Sequence, residues 1–100
     1  MYTQQDIINK LTPIFEKYPI TRAALFGSYS RGEQTNESDL DLLVEIDQTS
    51  ELPDIIYVIW DEVERDVTLN TDILTFKALR SAPSVMRERI LKEMRLIYEI

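Results

Sequence analysis

The run from Leu40 to Ile46, LDLLVEI, constrains the fold more than any other stretch of the chain. It is almost continuously apolar, the pattern of a strand covered on both faces. Such a strand needs cover above and below its sheet, so the chain is expected to layer helices on β-structure.

The remaining segments fit that expectation. Thr3 precedes an apolar spacing through Ile7, Ile8, Leu11, Ile14 and Phe15, which predicts an amphipathic helix ending near Tyr18, with Pro13 as a point of kink or break. Ile20 to Phe26 reads as a strand that Gly27 ends, and Ser28 to Gly32 as a short helical turn with serine as its cap. Glu33 to Ser38 is a polar loop, and Asp47 to Ser50 a turn. Glu51 to Arg65, with Pro53 in its first turn, predicts a helix that buries Trp60 with Ile56 and Val63. Val67 to Thr75 reads as a third strand and Phe76 to Arg80 as a turn of helix. A further helix is expected from Ser84 to about Met94, where Met86 to Arg89 forms a solvated face or, alternatively, a partner contact. Arg95 to Glu99 is read as a last short strand, because Leu96, Ile97 and Tyr98 are good β formers. The expected fold class is α/β (α+β), a small mixed sheet flanked by helices, with residues 1–100 as one domain.

Composition removes several function classes. There is no cysteine, hence no disulfide framework and no thiolate metal site. There is no histidine either, so a general base must be a carboxylate, a lysine, a tyrosine or water. With 18 acidic residues against 11 basic ones, the net charge of −7 opposes direct nucleic-acid binding and suits a basic protein partner or a divalent cation. The opening MYTQQDIINK lacks the features of a signal peptide, and no apolar run approaches the ~18 residues of a membrane span. A cytoplasmic protein without membrane contact is expected.

Two local patterns carry chemistry. A strand ending in Gly27 and followed by Ser28 at a helical turn lets a ligand approach the backbone closely. N–H groups at a helix start attract phosphate oxygens, Ser28 adds a hydroxyl, and Arg31 offers a charged fork to the same anion. The second pattern is Asp39-Leu40-Asp41. On a strand, both carboxylates leave from one face with backbones about 6.6 Å apart. Their repulsion, roughly 2–3 kcal/mol at an effective dielectric near 20, calls for water, a cation or function in compensation. Hard divalent cations accept such oxygen ligands. Asp72 is an acid inside a strand-like run, and if that strand lies beside Asp39 and Asp41 it adds a third carboxylate and a candidate base.

Gly27-Ser28, ten intervening residues and Asp39-Leu40-Asp41 together resemble the signature of the nucleotidyltransferase superfamily related to DNA polymerase β. The chain is similar, more narrowly, to a minimal nucleotidyltransferase (MNT) domain over nearly its whole length: a leading helix, ALFGSYSRGE, SDLDLLVE, a central helix, NTDILT and RERILKEMRLIYE. The resemblance implies transfer of AMP from ATP with release of pyrophosphate. It implies Gly27, Ser28 and Arg31 as phosphate contacts, Asp39, Asp41 and Asp72 as ligands of two Mg²⁺ ions, and Asp72 as the group assisting deprotonation of the acceptor. Tyr29 stands where the family commonly has the first arginine of its turn, and is read as packing or, alternatively, as a nucleotide or partner contact.

Stand-alone members resemble the antitoxin of HEPN–MNT toxin–antitoxin pairs, in which a HEPN ribonuclease is the partner and its tyrosine is adenylylated. The expected function is therefore an adenylyltransferase antitoxin. Two alternatives stand beside it: neutralisation of a partner by occlusion alone, and transfer of a nucleotide to a small molecule such as an antibiotic.

Overall fold

The computed structural model describes residues 1–47 and 54–100. Its elements are α1 (Gln4–Lys17), β1 (Ile20–Phe26), α2 (Ser28–Arg31), β2 (Leu40–Ile46), α3 (Ile55–Val67), β3 (Thr71–Thr75), α4 (Phe76–Arg80), α5 (Ser84–Glu93) and β4 (Arg95–Glu99). The expected turn at 47–50 and the placing of Pro53 in a first helical turn fall largely or wholly outside the described residues.

The four strands form one mixed sheet in the order β3-β2-β1-β4. β1 lies antiparallel to both β2 and β4, and β2 runs parallel to β3. Alternation along the strands then separates two faces. Ala23 and Leu25 of β1, Leu40, Leu42 and Val44 of β2, and Ile73 of β3 meet the apolar sides of α1 and α3 in the larger core. On the opposite face, Ala24 and Leu43 pack with Phe76 and Leu79 of α4 and Ile90 of α5. LDLLVEI is thus buried on both sides, as its apolar run requires.

Local chemistry sets the element ends. Thr3 Oγ1 accepts from Asp6 N–H at 3.0 Å while Asp6 Oδ2 accepts from Thr3 N–H at 2.9 Å, closing a reciprocal cap on α1. Pro13 lies within α1, which continues to Lys17 rather than breaking there. The third strand begins at Thr71 and not at Val67, because α3 runs two residues beyond Arg65. Ile59, Val63 and Val67 repeat every four residues and are all buried, so Val67 belongs to the helix's core face. Thr68 then ends α3 in the left-handed region at φ 55°. Trp60 is partly buried against the larger core and its indole N–H donates to the carbonyl of Thr71 at 2.7 Å, tying α3 to the start of β3.

Candidate active site

The turn after β1 is shaped by the two glycines of the chain. Gly27 adopts φ 69°, ψ −152°, a conformation essentially restricted to glycine. Its carbonyl accepts from the N–H groups of Ser30 (3.1 Å) and Arg31 (3.3 Å) and from Ser30 Oγ (2.7 Å). Gly32 closes the short helix in the left-handed region at φ 71°. The cap of α2 is therefore Gly27, and Ser28 is the first helical residue rather than the expected cap; its hydroxyl is not used in capping. Tyr29 points the other way. It is buried in the larger core, so its ring packs beneath the turn and does not line the cleft.

The carboxylates approach the turn from β2 and β3. Asp41 on β2 is the parallel-register neighbour of Asp72 on β3, and the Leu40 N–H donates to the Asn70 carbonyl at 2.9 Å to hold that register. Register partners on adjacent strands project to the same side, so Asp41 and Asp72 share the face on which Leu43 meets α4 and α5. Asp39 lies just before β2, two residues from Asp41. Asp39 and Asp72 are exposed and Asp41 is half-buried.

Asp41 also reaches the glycine turn. A Cβ on Gly27 would sit 2.2 Å from Asp41 Oδ2, so only a bare α-carbon leaves the carboxylate its place. Burial, then the charges of Asp72, Asp39 and Glu93, push the Asp41 carboxyl up to about 6, with Arg31 opposing them. Negative charge is thus concentrated around one partly desolvated carboxylate, an arrangement that a cation would relieve.

Phe26, Gly27, Ser28, Arg31, Asp39, Asp41, Arg89 and Glu93 line a cleft of about 410 Å³. Five of the six sequence-predicted site residues are among them. Asp72 is the sixth; it borders the site through its register with Asp41 rather than lining the cleft. Sequence reasoning missed Glu93 and did not separate Arg89 from Arg87. Arg87 turns away, donating to the carbonyls of Arg80 (3.3 Å) and Ala82 (3.1 Å), whereas Arg89 lines the cleft. The available signal was spacing: Arg89 and Glu93 are four residues apart and share one side of α5.

Glu93 Oε1 accepts from the Gly27 N–H at 3.2 Å, and its Oε2 accepts from Arg31 Nη1 at 2.9 Å. Arg31 Nε donates to Glu33 at 3.1 Å, and the two carboxylates, Glu33 first, raise the guanidinium's affinity for its proton. The site therefore unites a backbone turn suited to anions, a fixed arginine and clustered acidic oxygens suited to a hard cation.

Residues 9–100 match the family model "Polymerase beta, Nucleotidyltransferase". A candidate protein adenylyltransferase of Methanocaldococcus jannaschii, MJ0435, is 35% identical over 88 residues, covering 88% of this chain and 90% of the relative. The protein adenylyltransferase MntA of Thermococcus cleftensis is 32% identical over 96 residues, covering 88% of this chain and 94% of MntA. Among solved structures, a Shewanella oneidensis MNT antitoxin complex with a tri-AMPylated HEPN toxin supplies a matching chain. It has a TM-score of 0.66 and 20% identity, covering 98% of this chain and 74% of that one. That likeness shows the fold.

Proposed function

The chain belongs to the polymerase β nucleotidyltransferase family, and from that premise we propose that it transfers AMP from ATP to a tyrosine hydroxyl of a HEPN-type toxin, acting as that toxin's antitoxin. The observation that carries the reading is the in-register pair Asp41–Asp72, with Asp39 beside it, at a cleft opened by Gly27, Ser28 and Arg31. The relatives' role in protein adenylylation and the MNT-antitoxin fold support the choice of acceptor.

In this reading Arg31 and the Ser28 hydroxyl bind the triphosphate at the α2 turn, where the Gly27 backbone lets it approach closely. The acceptor oxygen forms a bond to the α-phosphorus as the bond to pyrophosphate breaks. Asp72, exposed beside Asp41, takes the acceptor's proton. The strand pairing fixes Asp72 relative to the turn, so proton acceptor and phosphate contacts stay in one frame.

The site's donor chemistry fits Mg²⁺. All its acidic ligands are oxygens, and Asp41 is destabilised by neighbouring negative charge. Among the described residues, no group of three acidic side chains closes around one metal position. On this reading Asp39, Asp41 and Asp72 would contribute oxygens to two Mg²⁺ ions, with water and phosphate oxygens completing the coordination, the usual way Mg²⁺ is bound beside a nucleotide. When bound, the metal supplies charge stabilisation at the reacting phosphate. The cysteine-free sequence suits a reducing cytoplasm, where we place the reaction; among the described residues, no helix is long and apolar enough to cross a membrane.

Intact-mass spectrometry tests the proposal. The chain is incubated with Mg-ATP and the protein encoded beside it, with Asp39→Asn/Asp41→Asn run in parallel. AMP-sized additions to the neighbour, absent with the variant, are expected. A stable, neutralised complex without any addition would replace catalysis with occlusion. Transfer to a small alcohol in the absence of another protein would move the acceptor class.

A further inference from the structure

Glu93 closes α5, yet its side chain acts on a turn more than sixty residues earlier in the chain. Its two oxygens take different ends of that turn: Oε1 the Gly27 N–H at 3.2 Å, Oε2 the Arg31 Nη1 at 2.9 Å. Only 18% of the Glu93 side chain is exposed, compared with 41% for Arg31. The ionic hydrogen bond is therefore partly shielded from water and stronger than an ordinary surface pair.

Arg31 is held a second time, by Glu33 at Nε. A guanidinium has five N–H donors in a rigid fork. The two carboxylates engage Nε and one edge of Nη1, which leaves further donors of the fork for another anion. Glu33 is mostly exposed, at 66%, so Glu93 is the firmer of the two anchors.

We propose that Glu93 is a positioning residue for nucleotide binding: by bridging the Gly27 N–H and the Arg31 guanidinium it fixes both ends of the α2 turn, so that Arg31 presents its remaining donors to the triphosphate. This rests on the reading of Arg31 as a phosphate contact. Two effects of Glu93 oppose each other. Its charge repels an incoming polyphosphate, and its bridge removes the motion that Arg31 would otherwise lose on binding. The bridge dominates, because the carboxylate's charge is directed into two hydrogen bonds, whereas a released Arg31, the exposed last residue of the four-residue helix, has many rotamers.

Calorimetric titration with Mg-AMP-PNP separates these effects, using the full chain as wild type, Glu93→Gln, Glu93→Asp, Arg31→Met and the double variant Glu93→Gln/Arg31→Met. Glutamine keeps an acceptor for the Gly27 N–H but turns its amide away from a cationic donor. Aspartate keeps the charge but is one methylene too short to span both partners. Each is expected to bind roughly 3–10-fold more weakly than wild type. In the Arg31→Met background, Glu93→Gln should change affinity less than twofold, because the arginine it positions is gone and glutamine still accepts from the Gly27 N–H. Binding by Glu93→Gln as tight as wild type, or tighter, overturns the proposal. So does a loss of full size that persists without Arg31, which would mark Glu93 as a general support of the fold. Wild-type protein that fails to bind Mg-AMP-PNP overturns both this inference and the nucleotide reading beneath it.

Discussion

Asp41 and Asp72 stand side by side on parallel strands, in register, and the charge of Asp72 disfavours ionisation of Asp41. Asp41 is half-buried, and burial followed by the neighbouring charges pushes it from 3.8 up to about 6. The folded state therefore binds this proton more tightly than the unfolded chain does. Ionisation of Asp41 costs stability as pH rises from about 4 through 6, and the cost is complete above that range.

Asp41→Asn should accordingly stabilise the metal-free protein at pH 7.5, by about 1–2 kcal/mol once solvent screening of a half-buried group is allowed for. The gain should vanish at pH 3.5, where Asp41 is protonated. Thermal melts in a chelator at the two pH values measure it, and equal shifts at both would remove the electrostatic account. Added Mg²⁺ should raise the wild-type melting temperature and leave the variant nearly unmoved.

Gly27 and Gly32 bound the same helix but should respond differently to alanine. At Gly27 the new methyl meets Asp41 Oδ2 at 2.2 Å, in a backbone conformation that costs about 1–3 kcal/mol for any other residue. Gly27→Ala is expected to displace Asp41 and reduce transfer at least about 100-fold, the scale of losing a positioned catalytic group. At Gly32 nothing lies within 4 Å of a new Cβ, so Gly32→Ala should cost only the left-handed strain, about 1–2 kcal/mol, and keep most activity. Initial rates and melts on the two variants distinguish these effects; similar rates would show that Asp41 tolerates displacement.

Much of this site could be read from residue order because its parts are local. Gly27-Ser28 and Asp39-Leu40-Asp41 flank a single polar loop, and period two places both aspartates on one side of β2. β1 and β2 were legible to their bounds for the same reason: each is a mainly apolar stretch whose C-terminal end is followed by a glycine or a charged residue. Glu93 was not legible. It joins the turn only after α5 crosses the sheet, and no spacing rule relates position 93 to position 27. The end of α3 failed for a subtler reason, since Val67 is as good a strand former as a helix-face residue and only burial against the core decides.

Tyr29 tests how the turn is supported. Its ring is buried, and burial also raises the hydroxyl's pKa above the usual tyrosine value. Removing the ring opens a cavity beneath α2. Tyr29→Ala should therefore destabilise the fold by about 3–5 kcal/mol, as aromatic-to-alanine core changes do. Denaturant unfolding measures this. A loss below ~1 kcal/mol together with weakened nucleotide binding would return Tyr29 to the role of a surface contact.

Trp60 holds the other side of the site. Its N–H bond to the Thr71 carbonyl fixes the residue immediately before Asp72, so α3 positions the strand that brings the proposed base to Asp41. Phenylalanine would keep much of the packing and leave that carbonyl without its indole partner. Trp60→Phe is expected to lose about 1–2 kcal/mol of stability from the hydrogen bond and smaller ring. The catalytic effect should appear in kcat, with the affinity for Mg-AMP-PNP little changed, because Gly27, Ser28 and Arg31 lie on the other side of β2 from β3. Single-turnover rates alongside calorimetry separate the two; a variant that loses nucleotide affinity while keeping its rate would show that β3 supports binding rather than proton transfer.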